Sequence, residues 1–468
     1  MQPVSSTRRI LAAAIAAVLL PAVVQADPAT DELLLQKIEE LSQKVLVLER
    51  KLEVQDEATK AAVASTPVVK ASPKGFSLAS ADSQNQIKLR GTVHIDGRFL
   101  QNDDPEGLKD TWQATRVRPI VEGTLGGIYD FKIMPDFGQG RTVIQDAYVT
   151  ARFKPAFQIT AGKFKSPVGL ERLQSANDIR MVARGFPTQL APNRDIGLQV
   201  AGGLLGDRLN YQVAYLNGSN DGGSSETFAD VDLNDDKEYA ARVFALPFGE
   251  SGNFALRGLG LGIAGTYTSQ TGTTAQPLLP VFRTPAQSTF FRYRTGTTPT
   301  LADGERTRLA PQLYYYVGRF GLLGEYTTVS QDVSRTTTAG RREGSLDTTS
   351  WQLQASWFLT GEEESFRGFK PNNVFSLAND TWGAFELVAR YQELDPDDDA
   401  FVGGAASFAD PANAAREATA YGVGLNWYLS ENLKWILNYD HTSFDGGAPG
   451  GADREDEDVF LTRFALGF

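Results

Sequence analysis

Residues 459–468 read V-F-L-T-R-F-A-L-G-F. Phe460, Thr462, Phe464, Leu466 and Phe468 share one parity, and Leu461, Arg463, Ala465 and Gly467 share the other. As a strand, the stretch shows lipid one greasy face and hides a guanidinium behind it, which is how a membrane barrel strand alternates. A soluble edge strand can alternate too, but an unpaired apolar edge of this kind invites aggregation. Closing it against the first strand of a barrel removes the edge.

The first strand expected after a spacer has the same design. Ile87, Leu89, Val93, Ile95 and Phe99 alternate with Lys88, Arg90, His94, Asp96 and Arg98, so a charged face backs an apolar one. Repeated strand after strand, such a face describes a wet lumen, and the pattern recurs to give about sixteen strands over 85–468, an even number as expected for a bacterial barrel. Trp351, Leu353, Ala355, Trp357 and Leu359 against Gln352, Gln354 and Ser356 is one of the cleanest cases. Tyr and Trp near strand ends are expected to form interfacial girdles. Tight turns such as Gly126-Gly127, Lys154-Pro155, Gly206-Asp207 and 430–432 alternate with long connections at 217–237, 270–307, 395–417 and 444–456. An even count puts both ends of the barrel on the short-turn side; the long link at 360–380 breaks the alternation. No repeat of the ~40-residue blade type is visible, which argues against a propeller.

Ahead of the barrel, Arg8 and Arg9 precede the apolar run Ile10 to Val24, and V-Q-A closes it at 24–26, so 1–26 reads as a cleavable secretory signal. No later stretch approaches ~20 uninterrupted apolar residues, which excludes a helical span. Residues 27–54 form a helix by period: Leu34, Ile38, Leu41, Val45, Leu48 and Leu52 make a heptad seam that calls for copies of itself, a short coiled coil placed in the periplasm. The bland alternative is one amphipathic helix packed on its own domain. Residues 55–84, rich in Ala, Lys, Ser, Thr and Pro without period, read as a flexible linker. The chain has no cysteine, which removes disulfides, thiol nucleophiles and cysteine metal sites, and its net charge of −12 argues against a nucleic-acid partner.

Three motifs resemble chemistry without its context. Gly260, Gly262 and Gly265 match a dinucleotide fingerprint, but Leu259, Leu261 and Ile263 alternate with glycines at period two and no helical period follows. Asp230, Asp232 and Asn234 open like a calcium loop, yet Asp235 stands where Gly is needed and Ala241 where Glu is needed. His94 and His441 are the only histidines, and no nearby Ser suggests a dyad. No catalytic residue, metal or cofactor is expected.

The stretch 162–194 differs. It is without strand period and carries Lys163, Lys165, Arg172, Arg180, Arg184 and Arg194 against Glu171 and Asp178. Leu170, Leu173, Ile179, Met181 and Phe186 would not hang in water, so the loop is expected to fold inward, narrow the lumen and aim its cations at the solute; rings of Arg and Lys select anions. The competing reading is an external loop contacting lipopolysaccharide phosphates.

The motifs K-L-R-G-T-V-H-I-D-G-R-F at 88–99, V-E-G-T-L at 121–125, Q-D-A-Y-V at 145–149, G-K-F-K-S-P-V-G-L-E-R-L at 162–173, N-R-D-I-G-L-Q at 193–199, L-T-G-E at 359–362 and the final Phe together resemble the phosphate-selective porins O and P of Gram-negative outer membranes. The resemblance implies a sixteen-stranded trimeric porin with an inward third loop and a basic lumen for phosphate or larger phosphorylated anions. By position, Arg116 resembles a basic residue of the second strand and Asp146 the acid shaping the constriction. Arg283, Arg292 and Arg294 resemble arginines that guide anions in from the mouth. Where the family's constriction lysine aligns, this chain has Asn177.

The expectation is thus an all-β transmembrane barrel, a passive anion-preferring channel rather than an enzyme. Lys163, Lys165, Arg172, Arg180, Arg184, Asn177, Asp146, Arg98 and Arg116 are its constriction, with outer-membrane lipid, lipopolysaccharide and copies of itself as partners. The alternatives are a non-selective porin, a coiled-coil envelope tether and a barrel enzyme acting on lipid.

Overall fold

The computed structural model describes residues 28–101, 107–232, 235–368 and 370–468, so the expected signal segment lies outside the described residues. Helix α1, Pro28–Ser65, forms a unit by itself. Its heptad positions Leu34, Ile38, Leu41, Val45, Leu48 and Leu52 all stand exposed as one apolar seam. The helix continues past residue 54, where the spacer was expected to begin. The run D-E-A-T-K-A-A-V-A over 56–64 lacks a heptad but is rich in helix-forming Ala, and intrinsic propensity carries the turns onward.

The rest of the expected spacer is not a plain linker either. Strands β1, Val68–Ser72, and β2, Gly75–Ala79, form a hairpin, and β2 pairs with the start of β3, Gln86–Leu100. The wall then runs through β4 Thr111–Leu125, β5 Tyr129–Asp136, β6 Val143–Lys154, β7 Phe157–Lys165, β8 Arg194–Leu204, β9 Leu209–Leu216, β10 Glu238–Ala245 and β11 Leu259–Thr271. A separate hairpin, β12 Val281–Arg283 with β13 Thr289–Arg292, precedes β14 Thr300–Val317, β15 Phe320–Thr337, β16 Gly340–Phe358, β17 Ala384–Asp395, β18 Ala415–Tyr428, β19 Leu433–Gly446 and β20 Glu457–Gly467. Each wall strand pairs antiparallel with the next, and β20 returns to β3, from Val459↔Leu100 to Gly467↔Thr92, closing a sixteen-stranded barrel. Phe468 finishes the seam by exchanging backbone hydrogen bonds with Gly91 at 2.9 and 3.0 Å. Its ring lies where a side chain on residue 91 would sit, a Cβ there falling 2.5 Å from the ring edge. Closure leaves the wall without an open sheet edge, which lipid demands.

The two faces of β20 separate as its parity requires: Phe464 is 41% exposed and Arg463 is 2% exposed. Thr462, the one polar residue on the lipid face, is covered because Trp435 Nε1 donates to its hydroxyl at 2.7 Å. Aromatics gather at both rims. Phe385 stacks on Trp427 and Trp435 on Phe464 at the short-turn end, while Tyr215 meets Tyr239 and Tyr421 meets His441 at the long-loop end.

Two departures alter the interior. The connection expected at 270–307 is shorter, because β14 begins at Thr300, and it carries the β12–β13 hairpin. That hairpin buries Phe282, Phe290 and Phe291 in a cluster with Phe186, Leu190, Val333, Phe401 and Phe408, so an apolar mass fills part of the long-loop half of the barrel. The glycine-rich run 260–265 lies within β11, where it leaves room for rings: a Cβ at Gly262 would come within 2.3 Å of Phe244 and one at Gly260 within 2.6 Å of Tyr314.

Candidate functional site: the loop inside the barrel

Residues 166–193 leave β7 and rejoin the wall at β8, the third connection on the long-loop side. The loop does not hang outside. Val168, Leu170, Ile179, Met181, Phe186 and Leu190 are buried against the barrel's inner face. Irregular backbone so placed must find partners, and it finds them on the wall. Leu170 N–H donates to Glu325 at 2.6 Å, Val182 N–H to Asn438 at 3.0 Å and Phe186 N–H to Gln392 at 2.8 Å. In return, Lys434 Nζ donates to Ile179 O at 2.8 Å and Arg390 to Ala183 O at 2.9 Å. Gly185 passes so close to β16 that a Cβ would lie 1.8 Å from the Gln352 amide.

The long short-turn link, 359–383, supplies a floor. Arg180 of the inner loop lies between two carboxylates, Glu386 at 2.6 Å and Glu364 of the link, and donates to Ser365 O at 2.7 Å. Gln174 Nε2 reaches Phe366 O at 2.9 Å, and Phe366 stacks on Tyr314. Burial, with the Glu386 charge added, holds the Glu364 carboxyl well above its usual range even beside Arg180.

The expected constriction cations therefore divide by what they face. Lys163 is paired with Glu226 at 2.8 Å and Asp230 at 2.6 Å, both from the following loop. Against the burial that would raise it, Lys163 keeps Asp230 below the usual carboxylate range. Asp146 takes Arg194 at 2.7 Å and Lys132 at 2.8 Å. Lys163, Arg180 and Arg194 thus bring no net positive charge to the passage, contrary to the expectation for the first two. Lys165, Arg172 and Arg184 meet backbone carbonyls instead of carboxylates. Lys165 Nζ donates to the carbonyls of Arg172 at 2.9 Å, Leu173 at 3.3 Å and Gln174 at 2.6 Å. Arg172 donates to Thr188 O, and Arg184 to Glu171 O and Gln174 O. Carbonyl dipoles hold these cations in place without cancelling them. Burial, with the Arg184 and Arg194 charges, pushes Arg172 down to about 9. Burial takes Arg184 to about 10, with Glu171 opposing and Arg194 adding to it. Both remain charged at neutral pH.

Asn177 is an anchor rather than a free lumen side chain. Its Oδ1 accepts from His94 Nε2 at 2.9 Å and its Nδ2 donates to Thr92 Oγ1 at 3.1 Å, fastening the loop to the seam where β3 meets β20. Arg116 donates to His94 Nδ1 at 3.0 Å. Arg98 is half-buried further along β3, opposite Thr111 and Leu461. Of the mouth arginines, Arg283 and Arg292 are exposed on the inner hairpin, but Arg294 is pinned by Asp410 at 3.0 Å and Ser407 at 3.1 Å. The calcium-like acids turn to lysines, Asp230 to Lys163 and Asp232 to Lys237; Asn234 lies outside the described residues. His441 faces outward with Nδ1 on Asp458 at 2.7 Å. The sequence placed Arg463 and Asp96 on lumen faces but not against one another, and it gave no sign of Arg118 on Asp136 or of Arg306 and Arg308 on Glu238. All lie at positions of lumen parity within their strands, which was the available signal.

Residues 87–468 match the family model described as phosphate-selective porin O and P. The chain belongs to that family. It is an outer-membrane porin, and its barrel is that of solved channels. The outer membrane channel DcaP of Acinetobacter baumannii superposes with a TM-score of 0.50 at 14% identity, over 82% of this porin and 97% of that chain. An anion-selective porin from Comamonas acidovorans is similar at a TM-score of 0.48 and 14% identity, over 82% and 100%. The trimer form of OmpT of Vibrio cholerae is similar at 0.48 and 12%, over 82% and 99%. A search of curated protein sequences returns no match.

Proposed function

We propose that this porin is a passive, anion-preferring channel for phosphate or phosphorylated solutes, working as a homotrimer with α1 in the periplasm. The observation that carries the reading is a set of three cations held by backbone carbonyls of the loop inside the barrel, Lys165 from the end of β7 and Arg172 and Arg184 from the loop itself. Burial already penalises the Arg172 and Arg184 charges. An arriving anion relieves part of that penalty, and guanidinium forks match phosphate oxygens. Several moderate sites in series allow both capture and release. The exposed apolar seam of α1 supports the oligomer, because a helix with that stripe gains stability by zipping with copies of itself.

Asn177 and the neutralised Lys163 and Arg180 favour a second reading, a general porin without phosphate preference. Titrating inorganic phosphate into a chloride bath during single-channel recording separates the two. Concentration-dependent block of chloride current supports a phosphate site; current that follows bulk conductivity alone selects the general porin.

A further inference from the structure

His94 has no exposed surface, and both its ring nitrogens are engaged. A guanidinium donates only, so Nδ1 must accept from Arg116; the ring is then neutral, and Nε2–H donates to Asn177 Oδ1. The Asn177 amide consequently points its Nδ2 at Thr92, as observed. One strand feature aims this relay. The β3–β4 ladder slips between His94 and Ile95, leaving Thr115 as the extra residue of β4 directly before Arg116. Bulges re-aim side chains in this way. Gly467 completes the fit, since a Cβ there would lie 2.3 Å from Asn177 Nδ2.

Neighbouring wall arginines are treated differently. Arg118 is matched by Asp136 at 2.8 Å, Arg194 by Asp146 at 2.7 Å and Arg463 by Asp96 at 2.6 Å. Arg116, half-buried on the lumen face, is oriented by an imidazole instead. Lys434, the other cation near His94, is committed to Ile179 O.

Building on the anion-channel reading, we propose that His94 is a specificity-determining positioning residue: a neutral acceptor that aims the Arg116 guanidinium into the passage without cancelling its charge. A carboxylate in its place would hold the same guanidinium equally well and erase its field.

The test compares full-length wild type, His94→Gln, His94→Glu and Arg116→Gln, by reversal potential in a potassium chloride gradient at neutral pH. Glutamine keeps a neutral acceptor, so His94→Gln should reverse where wild type does. His94→Glu should shift toward cation preference by as much as Arg116→Gln. A merely structural role would move all the variants alike, or none. A wild-type reversal potential for His94→Glu overturns the proposal, and so does an equal shift in His94→Gln. If the acidic variant yields no folded barrel, His94→Leu, which offers Arg116 no acceptor, takes its place: a shift in His94→Leu that His94→Gln lacks supports the role, and equal reversal potentials for the two refute it. The comparison reads differences between variants. A wild type reversing on the cation side would instead refute the anion preference itself.

Discussion

Replacing Arg180 with methionine tests whether the loop and the short-turn link lock one another inside the barrel. The guanidinium is bracketed by Glu386 and Glu364, whose side chains are both fully covered, so its removal strands a buried carboxyl pair without its cation. Breaking a buried pair from one side costs about 3–5 kcal/mol, which lowers the docked-to-undocked ratio by roughly 10²–10⁴-fold. The loop would stay in the lumen, since Lys434, Asn438 and Gln392 still grip it, but it would fluctuate there. Single-channel recordings of Arg180→Met at pH 7.5 should show open-channel noise and sub-states absent from wild type. Acid should quieten them. Glu364 is already held above its usual range by burial and Glu386, so its protonated form is the one the fold prefers. The stability it contributes is full below the ordinary glutamate range and is lost as pH rises through the raised value, which places the rescue on the acid side. A current at pH 7.5 as quiet as wild type, with an unchanged heat-modification temperature, would refute the lock.

Lys165→Gln and Arg184→Gln should each reduce anion preference, because each deletes an unpaired charge in a low-dielectric passage. Lys163→Gln should act instead by freeing Glu226 and Asp230 and loosening the fourth connection, read as greater protease access at 217–237. Arg283→Gln should slow anion entry at low salt and lose its effect near physiological salt, where the screening length is ~8 Å. Arg294→Gln, already neutralised by Asp410, should change conductance little at any salt. Asn177→Lys should not simply restore a phosphate-binding lysine: it removes the acceptor of His94 and crowds an ammonium beside it, so lower thermal stability of the barrel should accompany any gain in phosphate block.

The wall was legible because a barrel strand declares both its faces within ten residues, as Phe464 and Arg463 do. The inner loop was legible for a related reason: Leu170, Met181 and Phe186 need cover, and a barrel offers it only inside. Charge pairing was not legible. Lys163 and Lys165 share one parity of β7, yet the first meets acids from the next long connection and the second meets carbonyls of the inner loop, and no local pattern distinguishes them. The hairpin 281–292 was not legible because it lies within a stretch read as a long connection, and its anchors are Phe282, Phe290 and Phe291, which carry no strand period of barrel length. The continuation of α1 to Ser65 misled because a spacer-like composition still carries helix-forming alanines.

The central claim is that cations on carbonyls, not on carboxylates, give the passage its sign. The reversal potential of the wild-type channel in a tenfold potassium chloride gradient tests it most directly. Reversal is expected on the chloride side, moving toward zero when Lys165 and Arg184 are both replaced by glutamine. Reversal on the potassium side, or a chloride preference untouched by that double replacement, would contradict it.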